Sequence, residues 1–143
     1  MKSVIPTLAV ADMQKTLRFY NDVLGFETAF TMPDENGELV HASVKRGDVS
    51  IMFSPQGQPG LTHAGEGLVL YFTIGDDDDV DAEFAHARAN GVTVMQEPTD
   101  QFWGHRDWAI KDPDGYYLTI SKEIRQVDLS SLAATDLVVA SAD

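Results

Sequence analysis

Trp103-Gly104-His105-Arg106 sets a large ring, an imidazole and a guanidinium within four consecutive residues. Such a group can stack on a planar or cationic ligand, exchange a proton near neutral pH, and hold a carboxylate or phosphate. His105 is the leading candidate for a cleft base or hydrogen-bonding group. Trp103 falls in a loop just before a strand, where core packing explains a large ring less readily. Arg106 can fork onto a ligand anion, or pair instead with nearby Asp107 or Asp112. Trp108 reads as packing.

The remaining histidines are His41, His63 and His86. His41 lies on a strand, where it can meet a ligand or face solvent. His63 sits in a Gly/Pro-rich loop that could cover a cleft or simply lie on the surface. His86 is off the apolar stripe of its helix and reads as solvated. A metal site built from His41, His63 and His105 would require three unrelated segments to converge. Ser50 and Ser54 lack a nucleophile elbow. Gly57, Gly60, Gly65 and Gly67 make no phosphate loop, because neither a helix nor a Lys-Ser/Thr pair follows them. The absence of cysteine excludes disulfide and thiolate chemistry.

Regular elements must position these side chains. Ile5 to Val10 alternates like a strand, and Asp12 can cap a following helix. Met13, Leu17, Tyr20 and Leu24 then form one apolar helical stripe, which Gly25 ends. Phe26 to Phe30 reads as a strand, and Glu38 to Lys45 with Val49 to Ser54 as a hairpin. The order then repeats. Gly67 to Ile74 reads as a strand, and the acidic run Asp76 to Asp79 suits a helix start. Val80, Phe84 and Ala87 share one helical face, Asn90-Gly91 ends the helix, and Val92 to Met95 is a short strand. Asp112-Pro113-Asp114-Gly115 is a type I turn closed by a glycine bulge between two alternating strands. The expected fold is α+β, with two βαβββ modules whose curved mixed sheets surround a cleft. Phe53 belongs to the core. Tyr71 shares side-chain parity with Val69 and belongs to the cleft.

The chain has 143 residues, 43% hydrophobic, with 23 acids against 10 bases and a net charge of −13. The acidity argues against nucleic acid and anionic membrane as partners. It suits a cationic ligand, or serves only solubility. Neither a signal peptide nor a membrane span is evident, so a cytoplasmic location is expected. One domain over residues 1–125 is expected, with module one at about 1–56, a linker at about 55–66 and module two at about 67–122. Residues 126–143 form a tail, either mobile or starting a short helix near Asp128.

Leu8-Ala9-Val10-Ala11-Asp12-Met13, Phe19-Tyr20, Leu24-Gly25-Phe26 and the Asp112 to Gly115 turn together resemble the vicinal-oxygen-chelate superfamily. That superfamily includes glyoxalase I, bleomycin-resistance proteins and extradiol dioxygenases. The resemblance implies a fold of paired βαβββ modules, commonly in a homodimer. It also implies, in the metal-dependent members, four His, Glu or Gln ligands from the cleft strands. Those positions fall here on Ile5, Met52, Val69 and Thr119, which are not usual ligands. Trp103-Gly104-His105-Arg106 is similar to a Trp-Gly-Arg stretch of the bleomycin-resistance proteins, with His105 intervening. The expectation is therefore metal-free binding of a small organic molecule, sequestering a cationic or aromatic ligand without a cofactor. Its candidate contacts are Ile5, Thr7, Met52, Val69, Tyr71, Trp103, His105, Arg106 and Thr119. The alternative is an enzyme, glyoxalase-like lyase or dioxygenase, using His105 or His41 or a displaced metal site.

Overall fold

A computed structural model describes residues 1–128 and Ser130. The first unit runs β1 (Thr7–Val10), α1 (Met13–Asp22), β2 (Glu27–Pro33), β3 (Leu39–Arg46) and β4 (Val49–Pro55). The second runs β5 (Val69–Thr73), α2 (Val80–Ala89), β6 (Thr93–Asp100), β7 (His105–Lys111) and β8 (Tyr117–Glu123). The sheets are ordered β1-β4-β3-β2 and β5-β8-β7-β6. In each, the first-named pair is parallel and the others antiparallel. This is the α+β architecture of two βαβββ modules.

Local chemistry accounts for the helices. The Asp12 side chain accepts the Lys15 N–H at 3.0 Å, and Met13, Thr16, Leu17 and Tyr20 are buried beneath α1. Asp79 accepts the N–H groups of Asp81 and Ala82 at the start of α2, satisfying donors that the helix itself leaves open. Of the acidic run, only Asp79 is thus the cap.

Three strand boundaries depart from the sequence expectation. Strand β1 starts at Thr7, which leaves Ile5 ahead of the sheet. Strands β2 and β6 run on to Pro33 and Asp100, well past Phe30 and Met95. Both lie at sheet edges, where a proline withholds no ladder donor and bulges are tolerated. Register shifts interrupt β6 between Val94 and Gln96 and between Gln96 and Thr99. The expected helix start near Asp128 falls mostly outside the described residues.

Each helix covers one face of its sheet, and the two covered faces share one core. It includes Leu8, Val10, Tyr20, Phe53, Trp108 and Ile120. Alternation leaves Thr7, Ser43 and Met52 on the other face of the first sheet, and Val69, Tyr71, Thr119 and Ser121 on that of the second. The tip of the β7–β8 hairpin joins the modules. Tyr20 Oη donates to Asp112 at 2.8 Å, and the Ala11 N–H donates to Asp114 at 2.9 Å.

Candidate functional site

The open face of the second sheet carries the densest polar arrangement. Ser121 stands on β8 directly across from Asp107 on β7, so both point to the side away from α2. Tyr71 Oη donates to Ser121 Oγ at 2.7 Å, and His105 Nδ1 lies 2.7 Å from the same oxygen. With Tyr71 donating, the serine proton is free to go to Nδ1, and in that arrangement Nε2 would carry the ring proton. Asp107 is buried, and its Oδ1 accepts from Gln96 at 2.6 Å and from Gln101 at 2.8 Å. Ser121 is fully buried and is not presented as a nucleophile.

His105 also borders a hollow of about 490 Å³ with Trp103, Glu123 and Arg125. Trp103 sits in the turn before β7, its ring edge-on to Phe102 at 4.9 Å. The fold thus gathers Tyr71, His105 and Trp103 along one end of an open face. A hydrogen-bond chain behind an imidazole beside an indole can orient a planar ligand carrying an oxygen acceptor.

The first sheet has a smaller counterpart. His41 Nδ1 lies 3.3 Å from Ser54 Oγ, and the Phe30 ring centroid is 6.1 Å from that of His41. Phe30 and Met32 stand exposed on this face across from Ser43 and His41, at the opposite edge of the sheet from Thr7. Ser54 and Ser121 occupy matching positions of the two modules, each two residues beyond Met52 and Thr119.

Several candidates fall elsewhere. Arg106 alternates with His105 and Asp107, so it lies on the helix-covered side with Trp108. There it pairs with Asp81 at 2.9 Å and with Asp100 at 2.8 Å, rather than with Asp107 or Asp112. Those hydrogen bonds, Asp81 first, push its pKa further up. Trp108 is fully buried and donates from Nε1 to the Val80 carbonyl at 2.9 Å. His63 is exposed in the β4–β5 linker, and His86 is exposed on α2 with Nε2 2.6 Å from the Asp22 carbonyl. Ile5, Thr7, Met52, Val69, Tyr71 and Thr119 line none of the five principal hollows of the described residues. They lie on or beside faces that stand open, not in a closed cleft.

Ser121, Gln96 and Gln101 are not singled out by the sequence, and Asp107 enters there only as a partner for Arg106. The signal was available in part: Thr119 and Ser121 alternate with apolar Leu118 and Ile120, which marks a polar face.

The profile of the Glyoxalase/Bleomycin resistance protein/Dioxygenase superfamily matches residues 4–120. The chain belongs to that superfamily. An uncharacterized protein of Mycobacterium bovis is 28% identical over 90% of this chain and 88% of its own length. TioX from Micromonospora sp. ML1 superposes with a TM-score of 0.71 at 22% identity, over 86% of this chain and 99% of its own. TnmS3, an antibiotic binding protein from Streptomyces sp. CB03234, superposes with a TM-score of 0.64 at 26% identity, over 86% of this chain and 98% of its own.

The superfamily implies a divalent ion in some members, at positions that here offer few donors. Ile5 and Val69 have no lone pair, Met52 offers a thioether, and Thr119 a buried hydroxyl. This set does not fit a hard or borderline cation. Among the described residues, no three His, Asp or Glu side chains gather where an ion could be held. No helix among them is long and apolar enough to cross a membrane.

Proposed function

We propose that this protein binds a small organic molecule, aromatic or cationic, without a metal, on the open sheet faces of a homodimer. The observation that carries this reading is the exposure of large apolar side chains on those faces. Phe30 is 51% exposed and Val69 56%, with Met32 and Tyr71 close behind. Apolar groups grouped on an uncovered sheet face mark a binding surface. A second copy laid over them would turn two open faces into a walled cleft. Thr7, Met52 and Thr119 would then line it beside Val69 and Tyr71. Trp103 and His105 would supply stacking and a hydrogen bond at its end. The superfamily and the antibiotic-binding description of TnmS3 support a ligand of this kind. The net charge of −13 supports a cationic one. In this reading residues 1–125 are one domain, working in the cytoplasm without nucleic acid or membrane as partner.

Titration with a panel of aromatic cations and neutral aromatics tests the reading. Bound ligand quenches Trp103 emission and raises the unfolding midpoint, and Trp103→Phe removes the quenching. A panel that changes neither signal contradicts it. The hydrogen-bond chain from Tyr71 through Ser121 to His105 favours a second reading, an enzyme with His105 as general acid or base. Turnover of a bound compound, lost in His105→Ala while binding persists, would select that reading.

A further inference from the structure

A separate hollow of about 460 Å³ lies where the two modules meet. Phe26, Val49, Phe72 and Ile74 line it, with Phe26 and Phe72 edge to face at 5.8 Å between centroids. Phe72 and Ile120 here belong to the helix-covered side of their sheet, opposite Tyr71 and Thr119. Among its strand residues Thr73 alone shares the parity of Tyr71, so the hollow lies mostly on the helix-covered side.

Its polar residues are unequal in charge. Arg46 donates to the Leu24 carbonyl at 3.0 Å, pairs with Glu83, and lies 3.7 Å from Asp78, whose carboxylate also accepts the Gly75 N–H at 2.8 Å. Asp48 and Asp78 line the same hollow. With the Lys122 ammonium held on the Asp76 and Asp78 carbonyls, two cations stand near the three carboxylates of Asp48, Asp78 and Glu83, which leaves an excess of one negative charge. An anion entering here would have to draw Arg46 away from Glu83, whereas a cation meets acids already in place.

We propose that this seam is a second binding site, for a small molecule with an aromatic or branched apolar body and one ammonium group. The body lies against Phe26, Val49, Phe72 and Ile74, which removes apolar surface from water. The ammonium rests beside Asp48 and Asp78. A pocket of a few hundred Å³ with an apolar lining and a few charged groups is the usual form of a small-ligand site.

The test uses full-length protein with labelled methyl groups and two probes that share one phenylethyl body, 2-phenylethylammonium and 3-phenylpropionate. The expected result is saturable shifts at the Val49 and Ile74 methyls with the amine, in about the millimolar range for so few atoms. The carboxylate should bind about tenfold more weakly or worse. Asp48→Asn, an exposed turn substitution, should weaken the amine several-fold with the fold intact. Ile74→Trp, which fills the hollow, should abolish the shift at the Val49 methyls. Equal affinity for both probes overturns the proposal, as does the absence of saturable shifts at Val49 and Ile74. Shifts confined to Met52 and Thr119 overturn it too, while supporting a ligand on the open faces.

Discussion

Tyr116 Oη accepts the N–H of Ala9 at 3.1 Å and donates to the carbonyl of Ala9 at 3.0 Å. One hydroxyl from the second module thereby serves as a strand partner for the edge of β1 in the first. Ala9 is buried, so water cannot replace that partner. Together with the Tyr20–Asp112 and Ala11–Asp114 bonds, the contact fixes how the modules sit against each other.

Tyr116→Phe keeps the ring and strands both backbone groups of Ala9. The expected loss of unfolding free energy is about 1–3 kcal/mol, the cost of unmade buried hydrogen bonds. Urea unfolding measures it. A loss below about 0.5 kcal/mol would mean that the groups find other partners.

The pH dependence of stability should carry the signature of Asp112. Burial raises its pKa, against the lowering effect of its hydrogen bonds from Tyr20, Tyr116 and Asp114. Between the ordinary carboxylate pKa and this raised value, the native state binds more protons than the unfolded one. Stability therefore falls as pH rises through that interval and levels off above it. Asp112→Asn removes the slope in a series of unfolding curves taken across the acidic range. Burial and then Asp112 also push the Tyr20 pKa up. Above about pH 10 the unfolded chain loses its tyrosine proton first, so stability falls again.

Ser121→Ala breaks the chain between Tyr71 and His105. The Nδ1 of His105 then loses its nearest partner, and the ring should move from a dominant Nε2–H form to a mixture of tautomers. Nitrogen chemical shifts of the imidazole report this directly. Unchanged shifts would show that Ser121 does not set the tautomer.

Gly104 has φ +91°, and a Cβ there would stand 2.3 Å from the Arg125 carbonyl oxygen and 3.0 Å from a Val127 methyl. Both the dihedral angle and the space exclude a side chain. Gly104→Ala should displace the segment after β8, destabilise the protein by about 1 kcal/mol or more, and disturb the hollow beside Trp103. Trp103 emission and thermal unfolding are the readouts, and an unaltered midpoint with unaltered emission would count against the role given to this turn.

Much of the fold was legible from local patterns. The stripe Met13, Leu17, Tyr20 and Leu24 is buried, and Phe53 lies in the core. The Asp112 turn closes as its residues dictate, with the Gly115 N–H on the Asp112 carbonyl at 3.0 Å. Tyr71 follows Val69 onto the open face, because parity on a strand is a local property. Pairing across the chain was not legible. Asp81 takes Arg106 from 25 residues away, and Asp112 meets Tyr20 across 92. No local spacing encodes such partners. Strand β2 extends past its sequence signal because it is exposed throughout, and β6 because its half-buried positions after Val94 are Gln96 and Pro98, which carry no apolar alternation. The module seam lined by Phe26 and Phe72 is not legible either, because it exists only once two units distant in sequence pack.

Native mass spectrometry of freshly purified protein, paired with elemental analysis, tests the central claim most directly. The prediction is a two-chain species that takes up an aromatic cation and carries no stoichiometric metal. A single-chain species holding one zinc, nickel, manganese or iron ion per chain, and taking up no organic molecule, would contradict it.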